Sequence, residues 1–410
     1  FLVVSPTGAY VFWGAEKGLF QCILSMQASV TTFTLLPVPM FILMGEVMFQ
    51  SRVAFKAIDA LENWMGALPG RLGLLAVGAG ALFSTLSGAA MASTALLGAA
   101  LTPEMEKRGY GKSMSMGPIL GSSGLAIMIP PSALGVILAT IAEISVGGLL
   151  MAIIVPGLLM AVLYSLYIII RCKIQPSIAP SYDVPHVSLL KKLGDTARYV
   201  LPIGFIVFLV IGLILLGVAS PTESAAAGAL GCFILVAAYG KLNWKLVKDT
   251  GFGTLKVTAM IFMIFVGSRA FASVLEFSGA TQALTEFAVG APLTPIFVIF
   301  ASQILVLILG CFMEQYSMMM IPLPIFMPIV SALGFDPIWF GALMCLNVEM
   351  ACTTPPFGVS LFVMKGVAPA NTTMGDIYRA ALPFLACDFI VMLLMMVFPQ
   401  MVLWLPGLMQ

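Results

Sequence analysis

The amino-acid sequence predicts an all-α polytopic membrane protein built from inverted repeats, with two re-entrant hairpins and two broken helices. Three observations support this fold class: the apolar composition, the placement of basic residues, and a proline and glycine pattern that recurs after 225 residues. Of the 410 residues, 60% are hydrophobic and 9% are charged. Soluble domains carry about 25% charged residues, so lipid is the main solvent and a water-soluble fold is excluded.

Apolar stretches recur along nearly the whole chain. A membrane span needs about 20 apolar residues to cross roughly 30 Å of hydrocarbon. The number of apolar stretches therefore predicts roughly ten to a dozen membrane elements. Small polar interruptions at 84–88 and 310–315 divide two of the longer stretches, as expected for re-entrant hairpins or kinked spans. The stretches cover 1–13, 23–50, 72–103, 114–145, 148–170, 199–219, 222–239, 257–276, 293–330, 338–364 and 380–404.

The basic residues decide between hairpins and single spans, because cytoplasmic loops collect Lys and Arg. If 72–103 and 293–330 are hairpins and 114–145 is one broken crossing, 17 of the 19 basic residues share one face. Only Lys17 and Arg269 lie elsewhere. A single crossing at 72–103 would instead move Arg52, Lys56 and Arg71 to the opposite face. The charge pattern therefore favours the hairpins.

This topology predicts a transport domain in two parts and a scaffold around it. The first part contains a hairpin at 72–103 and a broken helix at 114–145, and the second contains a hairpin at 293–330 and a broken helix at 338–364. Residues 51–66 predict an amphipathic helix, either lying in the membrane interface and bracing the moving part or serving as an ordinary connector. The predicted division is 1–71 scaffold and arm, 72–145 first transport part, 148–292 scaffold and connectors, 293–364 second transport part, and 365–410 C-terminal helix.

An internal repeat relates the two halves. Pro103 and Pro328 are 225 residues apart, and Gly109–Gly334 and the pairs Pro130-Pro131 and Pro355-Pro356 have the same separation. In the charge-derived topology the two hairpins enter from opposite faces, so the repeats are inverted. Inverted repeats with discontinuous helices are typical of secondary transporters, whose binding sites lie near the bilayer midplane.

The two Pro-Pro pairs predict where chemistry occurs. Two successive prolines remove backbone donors and interrupt a helix, and exposed backbone at membrane depth is tolerated only where protein or water covers it. Freed carbonyls and the hydroxyls of Ser132, Thr353 and Thr354 suit sodium, whereas half-helix N-termini suit a substrate carboxylate. Gly121, Ser122, Ser123 and Gly124 allow close backbone approach before the first break. Proline kinks used only for packing are the alternative.

Ionisable groups within apolar stretches are the second class of candidate, because burying a charge in the membrane is costly. Arg269 lies well inside its stretch and is expected to attract an anionic substrate, to pair with an acid such as Glu276, or to snorkel. Glu314, at the second hairpin tip, is the preferred functional acid over Glu46, Glu223 and Glu349. Glu223 follows Pro221-Thr222 and is expected to cap a helix N-terminus.

Other chemistries find no support in the sequence. The single histidine, His186, lies in a polar loop, so a His-based transition-metal site or a catalytic triad is not expected. The seven cysteines show no close pairing and are expected to pack as small apolar groups. There is no Walker motif, no dense basic patch for nucleic acid and no expected organic cofactor. The chain opens at Phe1 without Met, so we expect it to begin inside a first helix or after a removed or fused segment.

Several motifs together resemble the large membrane (M) subunit of tripartite ATP-independent periplasmic (TRAP) transporters, over essentially the whole chain. They are Leu86-Ser87-Gly88, Pro103–Tyr110, Ile129–Ser132, Pro221–Ala226 and Thr354–Gly358. The resemblance implies a bacterial inner-membrane importer of small organic acids, such as sialic acid or C4-dicarboxylates, coupled to sodium. It also implies an elevator mechanism, a periplasmic substrate-binding (P) protein and a small membrane (Q) subunit, separate or fused before Phe1.

By motif, the resemblance places sodium sites between Ser87-Gly88 and the first break, and between Gly310–Glu314 and the second. The full sodium set is Ser87, Gly88, Gly124, Pro130, Gly310, Thr353, Thr354 and Pro355. The substrate set is Ser122, Ser123, Pro131, Ser132, Arg269, Glu314, Pro356 and Gly358. The sequence departs from the family pattern in two places: Ala89-Ala90 follows Gly88 where serines are common, and Glu314 stands where Asp is usual. The first departure weakens a role for side-chain hydroxyls at the first tip and leaves backbone carbonyls as the main sodium ligands.

Two other functions stay open at this point. The first is a stand-alone sodium–carboxylate symporter of similar architecture that needs no binding protein. The second is an intramembrane enzyme or assembly subunit, although no catalytic His, paired Asp or nucleophile motif stands out within the spans.

Overall fold

The computed structural model describes residues 1, 3–65, 68, 70–87, 90–180 and 187–409, and of 54 and 83–87 only the backbone. All regular secondary structure in these ranges is helical. The first eleven α-helices are α1 (Val4–Trp13), α2 (Ala15–Val30), α3 (Pro37–Gln50), α4 (Val53–Glu62), α5 (Arg71–Ser87), α6 (Ala90–Lys107), α7 (Lys112–Ser123), α8 (Leu125–Met128), α9 (Ala133–Ile141), α10 (Val146–Ala152) and α11 (Ile154–Ile174).

The remaining helices begin after the polar loop that follows α11. They are α12 (Leu189–Asp195), α13 (Leu201–Leu215), α14 (Pro221–Ala238), α15 (Trp244–Phe277), α16 (Ala280–Gly290), α17 (Pro295–Gly310), α18 (Gln315–Met320), α19 (Leu323–Ala332), α20 (Pro337–Thr353), α21 (Val359–Val367), α22 (Met374–Val397) and α23 (Gln400–Gly407). A π-helical turn at Thr196–Val200 joins α12 to α13. His186, predicted to be an exposed loop residue, lies outside the described residues.

The helices provide the expected membrane elements. Within the described ranges, seven helical segments are long and apolar enough to cross a bilayer. A further pair, Lys112–Met128 and Ala133–Ile141, is bent by 49° at the first Pro-Pro break. Three shorter apolar helices, Arg71–Leu82, Pro295–Gly310 and Pro337–Thr353, accompany them. The total falls within the predicted ten to a dozen, and the multi-pass all-α fold class is confirmed.

Two apolar stretches differ from the helices that contain them. The stretch 23–50 is divided, because α2 ends at Val30 and α3 starts at Pro37, a residue favoured in the first turn of a helix. The stretch 257–276 is only the end of α15, which starts at Trp244. Asn243 caps α15 by accepting a hydrogen bond from the Leu246 N–H, so the helix continues through the polar residues that precede its apolar part.

Local predictions are confirmed at the start of α14 and at the cysteines. The Ser220 hydroxyl accepts a hydrogen bond from the Glu223 N–H, and the Glu223 carboxylate accepts one from the Ser220 N–H, which forms a capping box. Glu223 therefore caps a helix N-terminus as expected. All seven cysteines are buried and free of disulfides, as expected for packing residues.

Helix boundaries follow the 225-residue spacing found in the prolines and glycines. Helix α6 spans Ala90–Lys107, and α18 with α19 spans Gln315–Ala332. The helices α7 and α20 start at Lys112 and Pro337, again 225 residues apart. The opposite orientation of the two halves in the membrane stays a prediction, as does the division into transport and scaffold domains.

Packing brings the two broken helices together. Helix α20 contacts α8 and α9, which flank the first break, and α7 packs against α22. Helix α17, which precedes the second polar interruption, packs along α20. The two breaks and the second hairpin therefore lie in one contiguous part of the fold.

Candidate functional site

The first break separates α7–α8 from α9 at Ile129–Ser132. Pro130, Pro131 and Ser132 are buried, and the peptide bond between the two prolines is cis. Ser132 is the N-cap of α9, and its hydroxyl accepts a hydrogen bond from the Gly135 N–H at 3.1 Å. The helix N-terminus predicted at this break is therefore present and is capped by its own side chain.

The small residues before the first break serve close packing. Ser122 and Ser123 are fully buried, and the Ser123 hydroxyl donates to the Leu120 carbonyl at 2.7 Å. A Cβ on Gly80 of α5 would lie 2.4 Å from the Ser122 Cβ, so the first hairpin contacts α7 at this point. The predicted tip of that hairpin is not described at Gly88, and at Ser87 only its backbone is described.

The second break, Thr354–Gly358, separates α20 from α21. The hydroxyls of Thr353 and Thr354 both donate to the Met350 carbonyl, at 3.2 and 2.6 Å. The Pro355–Pro356 peptide bond is also cis, and Tyr378 of α22 donates a hydrogen bond to the Pro356 carbonyl at 2.8 Å. Both threonine hydroxyls thus have intrahelical partners, which leaves backbone carbonyls as the main oxygen donors of this break.

Two backbone carbonyls converge on Gly358. A Cβ on Gly358 would lie 2.6 Å from the Cys352 carbonyl oxygen and 2.9 Å from that of Thr354. Only glycine leaves this approach open. The Gly358 N–H donates to the Thr354 carbonyl at 3.1 Å, which holds the turn together. Convergent carbonyls of an unwound segment are the donor type that binds sodium in secondary transporters.

The second hairpin reaches this break directly. A Cβ on Gly310, the last residue of α17, would lie 2.4 Å from the Ala351 Cβ, and the Cys311 thiol lies 3.6 Å from the Pro355 carbonyl oxygen. Glu314 caps α18, because its Oε2 accepts hydrogen bonds from the N–H groups of Tyr316 and Ser317 at 3.1 and 3.4 Å. Its other oxygen, Oε1, is buried and has no hydrogen-bond partner within the described residues.

Arg269 lies apart from the other predicted site residues. Its guanidinium pairs with the Glu143 carboxylate at 2.8 Å, so the expected pairing with an acid is present, but the partner is Glu143 and not Glu276. Glu143 follows α9 in a left-handed backbone conformation, with φ of 55°. Both side chains and that of Glu276 line a cavity of about 520 Å³ that includes no other predicted site residue. The sequence could not show this pairing, because the partners are 126 residues apart.

Three further buried polar residues, Glu349, Asp388 and Tyr164, lie near the breaks, and the sequence had not singled out Asp388 or Tyr164. Glu349 of α20 is fully buried, and both its carboxyl oxygens lack a hydrogen-bond partner within the described part of the chain. It occupies the space beside Gly124, where a Cβ would lie 1.5 Å from Glu349 Oε1. Asp388 of α22, which is 1% exposed, accepts a hydrogen bond from the Tyr164 hydroxyl. An acid in the middle of an apolar stretch was the available signal for both acids.

Comparison with known proteins assigns the family. Residues 2–401 match the family model described as tripartite ATP-independent periplasmic transporter, DctM component. The C4-dicarboxylate TRAP transporter large permease protein of Pseudomonas aeruginosa is 33% identical, covering 92% of this chain and 86% of the relative. The ectoine/5-hydroxyectoine TRAP large permease of Ruegeria pomeroyi is 30% identical, with 93% and 88% covered. The sialic acid TRAP large permease of Vibrio cholerae is 28% identical, with 98% and 92% covered.

The fold is also similar to that of a solved transporter structure. The YdaH transporter of Alcanivorax borkumensis superposes with a TM-score of 0.69 at 16% identity, covering 94% of this chain and 90% of that one. At this identity the similarity supports the fold and nothing finer. The similarity of the fold to that of a transporter agrees with the family match. The chain is therefore a multi-pass protein of the bacterial inner membrane and belongs to the tripartite ATP-independent periplasmic transporter family as its large permease, the DctM component.

Proposed function

We propose that this chain imports small organic acids by sodium-coupled secondary transport, using a site formed where the two helix breaks and the second hairpin meet. The contact of Gly310 and Cys311 with the break at Ala351–Pro355 is the observation that most supports this proposal. C4-dicarboxylates and sialic acid, named for two of the relatives, are the first substrates to consider. Both are carboxylates, which agrees with the chemistry of the two half-helix N-termini.

Sodium would be held chiefly by backbone oxygens. At the second break the carbonyls of Cys352 and Thr354 converge on Gly358, and the glycine leaves the space beside them unfilled. At the first break Pro130 has no backbone N–H to donate. Gly124 is the N-cap of α8, the last helical turn before this break. Hydroxyls contribute less, because those of Thr353 and Thr354 are already bonded to Met350.

The substrate carboxylate would bind at the N-terminal ends of α9 and α21. Ser132 and Gly358 are their N-cap residues, and helix N-termini attract anions through free N–H groups and the helix dipole. No side chain caps α21. Its first N–H groups are therefore the better candidates to donate to a bound carboxylate, with Pro356 and Gly358 shaping the approach.

We further propose an elevator motion of the parts 72–145 and 293–364 against the remaining scaffold. Two cavities at the predicted boundary support it. One, of about 520 Å³, lies between the residues that follow α9, Pro324–Pro328 and the helices α15 and α16. The other, of about 580 Å³, lies between Leu96 of α6 and the scaffold residues Phe49–Lys56 and Lys241. Unfilled space beside a sliding element is what such a motion requires.

The partners follow from the family. A periplasmic substrate-binding P protein would deliver the solute, and a small Q subunit, separate or fused, would complete the membrane complex. The exposed apolar surfaces of α1 and α2, including Val11, Phe12 and Phe20, are available to lipid or to such a subunit. The stand-alone sodium–carboxylate symporter is the alternative function.

Reconstitution tests both functions. The chain and its small subunit, in proteoliposomes with an inward sodium gradient, should accumulate radiolabelled C4-dicarboxylate or sialic acid when a loaded binding protein is added. Collapse of the sodium gradient should stop uptake, and a potassium gradient of equal size is the control. Sodium-driven uptake of free solute without binding protein would instead establish the stand-alone symporter. Uptake that does not depend on the sodium gradient would contradict both proposed functions.

A further inference from the structure

A cavity of about 580 Å³ is lined by three basic side chains. Arg52 directly precedes α4, Lys56 lies within α4, and Lys241 lies in the loop between α14 and α15. Among the described residues, none of the three forms an ion pair with an acid. Positive charge from two distant parts of the chain therefore meets in one cavity without a negative partner.

The acids nearest to this cluster along the chain do not neutralise it. Glu46, one turn before Gln50 in α3, accepts a hydrogen bond from the Gln50 amide at 3.4 Å and lies against Gly253 of α15. Asp59, on the turn of α4 that follows Lys56, pairs with no basic residue in the described part of the chain. Neither acid lines the cavity, whose wall therefore has three positive charges and no negative one.

Uncharged partners hold two of the cations in place. Lys241 Nζ donates a hydrogen bond to the Ser51 carbonyl at 2.9 Å, and Lys56 Nζ lies 5.2 Å from the centre of the Tyr199 ring. The pKa of Lys241 is below its usual value, because its ammonium group is partly desolvated and because Lys56 and Arg52 repel its charge. A bound anion would remove this repulsion.

The cavity lies where membrane spans end. Arg52 and Lys241 lie just beyond the ends of the candidate spans Phe33–Gln50 and Pro221–Ala238. Trp244, which is 80% exposed, begins the next candidate span, and tryptophan is enriched at the level of lipid headgroups. In the charge-derived topology this end of the spans faces the cytoplasm. The three cations are therefore at the depth of the headgroup phosphates of that leaflet.

The rest of the cavity wall is mostly apolar. It consists of Phe49, Phe55 and Leu96, together with Gln50. Phe49 is 41% exposed, so its ring is available to a ligand. A small free anion would gain nothing from these side chains, whereas the acyl chains next to a headgroup would remove their surface from water. Three cations beside apolar side chains thus suit a phospholipid better than a free anion.

We propose that this cavity binds an anionic phospholipid, whose phosphate contacts Arg52, Lys56 and Lys241 and whose acyl chains cover Phe49 and Leu96. Basic pockets between membrane helices on the cytoplasmic side recognise such headgroups. The lipid neutralises charges that repel one another, so it stabilises the contact between α4 and the loop that joins α14 to α15. Its acyl chains are fluid, so it contacts Leu96 of α6 without preventing a sliding motion of that helix.

Native mass spectrometry and thermal unfolding of the purified protein test this proposal without transport. The protein, stripped of lipid in a neutral detergent, receives phosphatidylglycerol, phosphatidylcholine with the same acyl chains, or inorganic phosphate. Phosphatidylglycerol should stay bound and raise the unfolding temperature, and the other two should do neither. Added salt should weaken the binding, because salt screens the attraction between the phosphate and partly exposed cations.

Removal of the three positive charges tests the location of the lipid. Combined Arg52→Gln, Lys56→Gln and Lys241→Gln should weaken phosphatidylglycerol binding roughly 100-fold, because each basic residue near anionic lipid contributes a factor of about five. If the triple variant does not fold, Lys56→Gln alone should weaken binding about fivefold. The matched control removes three exposed charges from the same predicted face, outside this cavity, and should bind like the wild type: Lys107→Gln, Lys173→Gln and Lys191→Gln.

Four results would overturn the proposal. Equal effects of phosphatidylglycerol and phosphatidylcholine would show that the basic residues do not select an anionic lipid. Equal stabilisation by inorganic phosphate would assign the cavity to a free anion. Unchanged binding in the folded triple variant would place the lipid elsewhere, and an equal loss in the control variant would show a response to surface charge in general.

Discussion

The guanidinium of Arg269, on α15, lies 2.8 Å from the carboxylate of Glu143, on the segment that follows the first broken helix. This ion pair crosses the predicted boundary between the scaffold and the moving part, beside a cavity of about 520 Å³. The side chains are 36% and 69% exposed, so the pair is screened and contributes little to stability. Its position suits a contact that must form and break during a transport cycle.

Exchange of the two charges tests whether the ion pair or Arg269 alone is required. Glu143→Arg and Arg269→Glu should each reduce sodium-driven uptake, and the double variant should recover a substantial part of it if the pair is the functional unit. Thermal stability should change by no more than about 1 kcal/mol in each variant, since exposed pairs contribute about 0.2 to 1 kcal/mol. Uptake in proteoliposomes and thermal unfolding are the measurements.

A different result would reassign Arg269. If the double variant stays inactive while Glu143→Gln alone transports normally, the pair is dispensable and the arginine acts on the substrate. Glu286→Gln, an exposed acid bonded only to Gln282 in the described structure, controls for loss of a surface charge.

Gly310→Ala should uncouple the second hairpin from the second break. The added Cβ would lie 2.4 Å from the Ala351 Cβ and 2.5 Å from the Met318 sulfur, so the two segments must separate. Overpacking of this kind costs about 1 to 3 kcal/mol. If this cost falls on the sodium-bound form, we expect the apparent affinity for sodium to fall by about 5- to 140-fold, since 1.4 kcal/mol corresponds to a factor of ten. Sodium-dependent uptake at saturating solute measures this.

Gly366→Ala in α21 is the matched control, because no atom lies within 4 Å of the position that its Cβ would take. It should transport normally and gain up to about 1 kcal/mol of stability, because alanine favours helix more than glycine does. Equal behaviour of the two variants would show that the close contact at Gly310 has no role in sodium binding.

The sequence predicted the membrane segments, the helix breaks and one helix cap, because each depends on the surrounding lipid or on the conformation of nearby backbone. Lipid requires apolar stretches, Pro-Pro pairs interrupt helices, and the Ser220–Glu223 spacing produces a capping box wherever a helix starts. These features depend on near neighbours in the chain, so one sequence was enough to find them.

Contacts between distant residues could not be predicted in the same way. For Arg269 the sequence offered Glu276 only as an example of a paired acid, and the fold brings Glu143 to it instead. Tyr164 and Asp388 are 224 residues apart, and no local pattern links them. Glu349 was ranked below Glu314, because hydropathy does not distinguish an acid inside the protein from one at a hairpin tip. Pairing of this type is a property of packing and is known only once the helices are placed.

Replacement of Pro130-Pro131 or of Pro355-Pro356 by Ala-Ala should abolish sodium-coupled uptake while the protein still inserts in the membrane. Alanine would allow each helix to continue through its break, which would remove the free carbonyls and the N-termini of α9 and α21. Pro337→Ala is the control, because Pro337 occupies the first turn of α20, where its missing N–H has no intrahelical partner anyway. Near-normal uptake in both double replacements would contradict the site assignment.

Gly124→Ala and Glu349→Ala should show strong thermodynamic coupling. Alone, Gly124→Ala places a Cβ 1.5 Å from Oε1 of the fully buried Glu349, so one of the two must shift. We expect a loss of about 1 to 3 kcal/mol. Alone, Glu349→Ala leaves a cavity at the same point and also destabilises the protein. In the double variant the new methyl group occupies space that the glutamate has left, so the combined loss should be smaller than the sum by about 0.5 to 3 kcal/mol.

Thermal unfolding in detergent measures the stability of the wild type, the two single variants and the double variant. A control cycle uses Gly212→Ala in place of Gly124→Ala, because a Cβ on Gly212 would meet no atom within 4 Å. Additive losses in the test cycle would mean that Glu349 does not pack against Gly124 in the detergent-solubilised protein.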